Sequence, residues 1–139
     1  MTIRWLLAVT VLAVVLGGCG PTGGPNGRFC DVARRLEASV DPVADAGVLA
    51  DPAKLSRAMA DRVDIYQALA MVAPSAAVDD AMRVRDGFVT INAALATAGY
   101  RADALDTDPA LKAALSDGSF VAARTSLARD LIRTCGVGG

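Results

Sequence analysis

Three cysteines stand at positions 19, 30 and 135, and no histidine stands anywhere in the 139 residues. Nucleophilic triads, imidazole bases and most zinc, haem and copper sites need a histidine, so most familiar side-chain chemistry has no carrier here. A metal held by the cysteines would need further ligands, and no C-x-x-C pair supplies them. Ser–Lys chemistry is conceivable at Lys54 with Ser56, or at Lys112 with Ser116. Both pairs fall on predicted helix surfaces without a Gly-flanked nucleophile turn, and they read as solvated helix residues.

The carboxylates are numerous but dispersed. Asp61 and Asp64, and the set Asp79, Asp80, Arg83 and Asp86, sit at the three- and four-residue spacings of surface ion pairs on a helix. Asp103, Asp106 and Asp108 hint at calcium. The segment lacks the glycine a calcium loop needs at its sixth position, and Asp117 stands where such a loop ends on Glu. Asp108, followed by proline, reads better as a helix cap. Met59, Met71 and Met82 fall at helical spacings among aliphatic residues and are expected to fill the core rather than bind a soft metal. No glycine-rich loop follows a strand to cradle phosphate. No metal, cofactor or catalytic residue is therefore expected.

Cys19 has the most informative surroundings. Met1 to Arg4 carry one positive charge, and Trp5 to Leu16 form an apolar run interrupted only by Thr10. A bilayer span needs roughly 20 apolar residues, so this run suits a secretory leader better than a membrane helix. Leu16-Gly17-Gly18-Cys19 resembles the lipobox of bacterial prolipoproteins. The resemblance implies that residues 1–18 are a signal peptide and that Cys19 is the lipidated first residue of the mature chain. The implied anchor is a diacylglyceryl group, often joined by a further acyl chain such as palmitate. Two or more acyl chains give long-lived attachment, at about 0.8 kcal/mol per buried CH2. Gly20 to Gly27 hold four Gly and two Pro in eight residues. These eight residues have a reach of about 15 Å, and with Cys19 and Arg28 they read as a tether over residues 19–28. The alternatives are an ordinary secreted chain in which Cys19 pairs or stays free, and an uncleaved anchor helix.

With Cys19 assigned to lipid, Cys30 and Cys135 remain as an even pair in an oxidising compartment. A bond between them would tie the first helix to the last. The alternative is a reactive thiol at Cys30, near a helix start.

These residues must be positioned by helices. Alanine, the best helix former, accounts for 28 residues, and aromatics for only 4%. Residues 29–40 place Phe29, Ala33, Leu36 and Val40 on one stripe. A loop follows over residues 41–51. Asp51-Pro52 opens a second helix running to about Val72, with Leu55, Met59, Val63, Tyr66, Leu69 and Ala70 inward. Ala77, Ala81, Val84, Phe88, Ile91, Leu95 and Ala98 give a third helix a sustained seam. Gly87 weakens that helix slightly, and Gly99 suits its C-terminal cap. Asp108-Pro109 starts a short helix. The last runs from about Ser119 to Thr134, with Phe120, Leu127 and Leu131 on one edge and Val121, Ala128, Ile132 and Cys135 beside them. No stretch shows the period-two alternation of a strand.

The expected architecture is all-α: a four-helix bundle with one short extra helix, tied by one disulfide. It occupies residues 29–136 as a single domain, with 137–139 as a tail. The mature part resembles small disulfide-tied helical lipoproteins of actinobacteria, through Phe29-Cys30 at its start and Cys135-Gly136 at its end. That likeness implies a fold and a location but no activity. Formal charge is −1, which gives no electrostatic reason to seek nucleic acid. The functional expectation is a non-enzymatic lipoprotein on the extracytoplasmic face of the cell membrane, binding a protein or another envelope component. The alternative is a carrier of a small apolar ligand in an inter-helix cavity. An enzyme would require a cleft where Asp and Arg converge, with a strongly shifted carboxylate.

Overall fold

The structure, a computed structural model, describes residues 24–138. Cys19, the leader and the first part of the tether lie outside the described residues. Among the described residues the chain is all-helical, with α1 (Gly27–Ala38), α2 (Ala46–Leu49), α3 (Pro52–Val72), α4 (Val78–Thr97), α5 (Ala104–Thr107), α6 (Pro109–Leu115) and α7 (Gly118–Cys135).

The four long helices close a ring of contacts: α1 packs on α3 and α7, α3 on α4, and α4 on α7. This is the expected four-helix bundle. Two single-turn helices add to the expected short one. Asp45 caps α2 inside the segment read as loop, its carboxylate accepting from the Val48 N–H. The turn α5 immediately precedes α6.

Start and stop signals act as their chemistry requires. Asp51 accepts from the N–H groups of Ala53 and Lys54, and Asp108 from those of Ala110 and Leu111, each just ahead of a proline at the first helical position. Asp117 caps α7 through the Phe120 N–H. Gly136 ends α7 at φ 67°, a left-handed cap that glycine adopts without a Cβ penalty. The helix α1 begins two residues earlier than expected, so Gly27 and Arg28 belong to it and not to the tether.

The seam of α4 is buried as its spacing requires. Ala77, Ala81, Val84, Phe88, Ile91 and Leu95 are each 2% exposed or less. Facing it, α3 buries Leu55, Met59, Tyr66 and Leu69, α1 buries Phe29 and Ala33, and α7 buries Phe120, Ala123, Leu127 and Leu131. Val137, expected in a tail, is 6% exposed and belongs to the same core.

Six positions differ from expectation. Val40 lies beyond α1 and is 49% exposed, because the helix stops before Asp41-Pro42. Met71 is 77% exposed and Met82 38%, so Met59 alone of the three expected core methionines fills the core. Val63 is only half-buried, and the place on α3 that the seam presents inward is taken by Arg62. Val121 and Ile132, set beside the buried edge of α7, are about half exposed.

Cys30 and Cys135 form a disulfide with Cα atoms 5.2 Å apart. The bond joins the start of α1 to the end of α7. Arg124, in the first half of α7, approaches Asp41 just past the end of α1. These two contacts set α1 antiparallel to α7.

Candidate functional site

One seam of the bundle is not filled to the surface. Between α1, α3 and α7 lies a cleft of about 230 Å³. Its apolar wall is Ala33 and Leu36 of α1, Leu127 and Leu131 of α7, and Val137 from the chain end. Its polar groups are Arg62 and Tyr66 of α3, Arg124 of α7, and Glu37.

Arg62 is the unusual member. It sits one helical step from Met59 and Tyr66 on the inward face of α3 and is only 8% exposed. One terminal nitrogen donates to the Val40 carbonyl at 2.6 Å, and the guanidinium charge acts on the Tyr66 phenol nearby. Its buried Nε has no hydrogen-bond partner. Among the described residues no carboxylate lies within 4.0 Å of it. A buried guanidinium in this state has given up hydration without gaining a counterion.

Arg124 is held differently. Its guanidinium carbon lies 5.5 Å from the centre of the Phe120 ring and 5.7 Å from that of Phe88, distances at which aromatic faces attract a cation. Phe88 in turn stacks on Tyr66 at 5.0 Å and meets Phe120 edge to face at 5.5 Å. Three helices thus supply an aromatic bed, and the second cation rests on it. Asp41 is 4.0 Å from Arg124, beyond hydrogen-bond reach, and its other oxygen accepts from the Val43 N–H. Burial pushes the Tyr66 hydroxyl above the usual phenol range, although the charges of Arg62 and Arg124 oppose this. The phenol therefore stays protonated at neutral pH. Glu37 at the rim accepts from the Gly138 N–H at 3.1 Å.

The residues singled out in the sequence are scattered by comparison. Lys54 and Lys112 are exposed, and Ser116 donates to the Lys112 carbonyl. Arg83 pairs with Asp80 at 3.9 Å on the surface, while Asp86 pairs with its neighbour Arg85. Asp103 pairs with Arg101, and Asp108 is a cap. Among the described residues no group of three or more metal-ligating side chains comes together. The carboxylates held below their usual range are Asp51 and Asp117, both at exposed helix starts. For Asp51 the cause is first the Lys54 N–H and then that of Ala53; for Asp117 it is first the Ser119 hydroxyl and then the Phe120 N–H. Neither lines the cleft.

Sequence reading missed Arg62 and Arg124. A signal for Arg62 was present: Leu55, Met59, Arg62, Tyr66 and Leu69 keep the 4-3-4-3 spacing that passes through Arg62 and not Val63. Arg124 carried no such signal, because the side chain is exposed and its partners come from other helices.

A wider concavity of about 560 Å³ lies between α4, α6 and α7 over Gly87 and Phe120. Its walls include Ala110, Ala113 and Ala114, and its charged groups are Arg83, Asp86 and Asp117. Among the described residues no helix is long and apolar enough to cross a membrane. No protein-family model, curated protein or solved structure matches the chain.

Proposed function

We propose that the chain is a lipid-anchored extracytoplasmic module that binds a component of the cell envelope and performs no covalent chemistry. The observation that carries this reading is the character of the groups converging on the α1–α3–α7 cleft. A guanidinium does not lose its proton in a protein, and the Tyr66 phenol is pushed further from losing its own. Two such cations and a neutral hydroxyl over an aliphatic wall can hold and orient a ligand. These three groups offer neither a base nor a nucleophile at neutral pH, and the carboxylate in the lining, Glu37, accepts from the Gly138 N–H at the rim.

The location rests on the Leu16-Gly17-Gly18-Cys19 pattern and is supported by the Cys30–Cys135 bond, which suits an oxidising compartment. The carrier reading has less support. The space between the helices is occupied by Leu55, Met59, Leu69, Ile91 and Leu95, each fully buried, and the concavities described above open at the surface.

The test is fractionation with mass spectrometry. Intact mass of the protein from the membrane fraction should correspond to a chain beginning at Cys19 with acyl groups attached. The Cys19→Ala form should leave that fraction. An unmodified Cys19, or a variant that stays with the membrane, would overturn the anchor. Capture from membranes with the lipidated and Cys19→Ala forms should then return different partner sets. Identical sets would reduce the lipid to an address.

A further inference from the structure

We propose that the cleft between α1, α3 and α7 binds a small alkyl carboxylate, with its head on Arg62 and Arg124 and its tail against Ala33, Leu36, Leu127 and Leu131. The proposal goes beyond the binding function given above: its ligand sits in a cleft open at the surface and not in the filled space between the helices.

The head group follows from the state of Arg62. The bundle buries its cation, supplies the Val40 carbonyl, and leaves the charge without a carboxylate within 4.0 Å among the described residues. An anion in the cleft would recover Coulomb energy at a site already desolvated, where such pairs count most. Arg124 adds a second guanidinium, set on the Phe88 and Phe120 rings. A carboxylate can accept two parallel hydrogen bonds from one planar guanidinium, and the second guanidinium in the lining adds charge. Asp41 does not fill this role, since it stands 4.0 Å from Arg124 and accepts from its own turn at Val43.

The rest of the cleft selects the tail. Its wall is aliphatic, so methylene groups that bind there leave water. At about 230 Å³ it falls below the roughly 300–1,000 Å³ of sites that bury drug-sized ligands, which favours a short chain. Glu37 at the rim repels a second negative charge. A monocarboxylate therefore fits better than a dicarboxylate or a phosphate dianion.

The probe is hexanoate, titrated by calorimetry into the full lipidated chain in phosphatidylcholine nanodiscs, with empty nanodiscs subtracted. The expected result is saturable binding with Kd of about 1 mM. Hexanol, hexylammonium, acetate and inorganic phosphate should each bind at least about tenfold more weakly, a difference of about 1.4 kcal/mol. Arg124→Gln, at an exposed position that leaves the core intact, should weaken hexanoate by about tenfold, and Arg62→Met should abolish binding. Equal affinity for hexanol would reveal a greasy slot and overturn the head-group assignment. Equal affinity for acetate would overturn the tail. Undiminished hexanoate affinity in a folded Arg124→Gln protein would overturn the site. Failure of the ligand and failure of the wider reading separate in the same preparation. A membrane-anchored chain blind to hexanoate loses only the ligand. A chain that binds hexanoate but carries no acyl group on Cys19 loses only the anchor.

Discussion

The ring of Phe120 in α7 lies directly on the backbone of α4 at Gly87. A Cβ at position 87 would fall 2.6 Å from Cε2 and 2.8 Å from Cγ of that ring, distances that real contacts do not reach. Gly87 is thus the hole into which the aromatic bed beneath Arg124 is set. Two effects of Gly87→Ala oppose each other. Alanine favours helix by about 1 kcal/mol over glycine, while overpacking a filled contact costs about 1–3 kcal/mol or more. Because the obstacle is the root of an aromatic ring and not a flexible chain end, the overlap should win. Urea denaturation should show net destabilisation of roughly 1–2 kcal/mol, and adding Phe120→Leu should recover part of it. A Gly87→Ala protein more stable than its parent would remove the close packing of α7 on α4.

The Cys30–Cys135 bond closes 105 residues of chain and ties the two ends of the folded unit. Chain-entropy arguments assign a cross-link of this span about 4.7 kcal/mol, with measured losses of native disulfides at about 2–5 kcal/mol. Cys30→Ala with Cys135→Ala should lower unfolding free energy within that range. Dithiothreitol should do the same to the parent and nothing to the double variant. The α1–α7 seam should open first, so the amide protons of α1 should lose protection from exchange before those of α4.

Much of this architecture was legible in the sequence, and the exceptions share a cause. The α4 seam and the Asp-Pro helix starts are local signals, written within a few residues of each other, and they appear as read. Gly87 looked like a weak point in a helix because its purpose depends on a ring 33 positions away. Val121 and Ile132 are set beside the buried edge of α7, and an apolar edge at helical spacing does not reveal how wide the partner face is; the bundle covers one side of α7 and leaves the other. The cleft was invisible for the same reason. Its residues come from three helices, and only the register of Arg62 marked one of them. The lipobox reading lies wholly outside the described residues.

Tyr66 ties the site to alkaline stability. Burial raises its pKa in the folded state above the ordinary value of 10.0. Below the unfolded value the phenol is neutral in both states and costs nothing. As pH rises past it, the unfolded chain releases the proton while the folded chain holds it, so stability falls with rising pH. Denaturation midpoints should therefore decline above about pH 10, and Tyr66→Phe should flatten that decline. An alkaline limb identical in the two proteins would mean that the hydroxyl is not kept in the protonated form by the fold.

The acid limb should belong to the helix starts. Asp51 and Asp117 are held below the ordinary carboxylate value, Asp51 first by the Lys54 N–H and Asp117 first by the Ser119 hydroxyl. A group with a lowered folded pKa stabilises the protein above its unfolded value of 3.8 and loses that contribution as pH falls through the folded one. Melting temperature should accordingly drop as pH falls below about 4. Asp51→Ala and Asp117→Ala should each lower the melting temperature at pH 7 and make the acid limb shallower. Asp51→Asn separates the two contributions to the cap, because its amide oxygen still accepts from the Ala53 and Lys54 N–H groups but carries no charge to lose. It should keep most of the neutral-pH stability while showing the shallower limb, so full acid sensitivity in Asp51→Asn would assign the limb to other carboxylates.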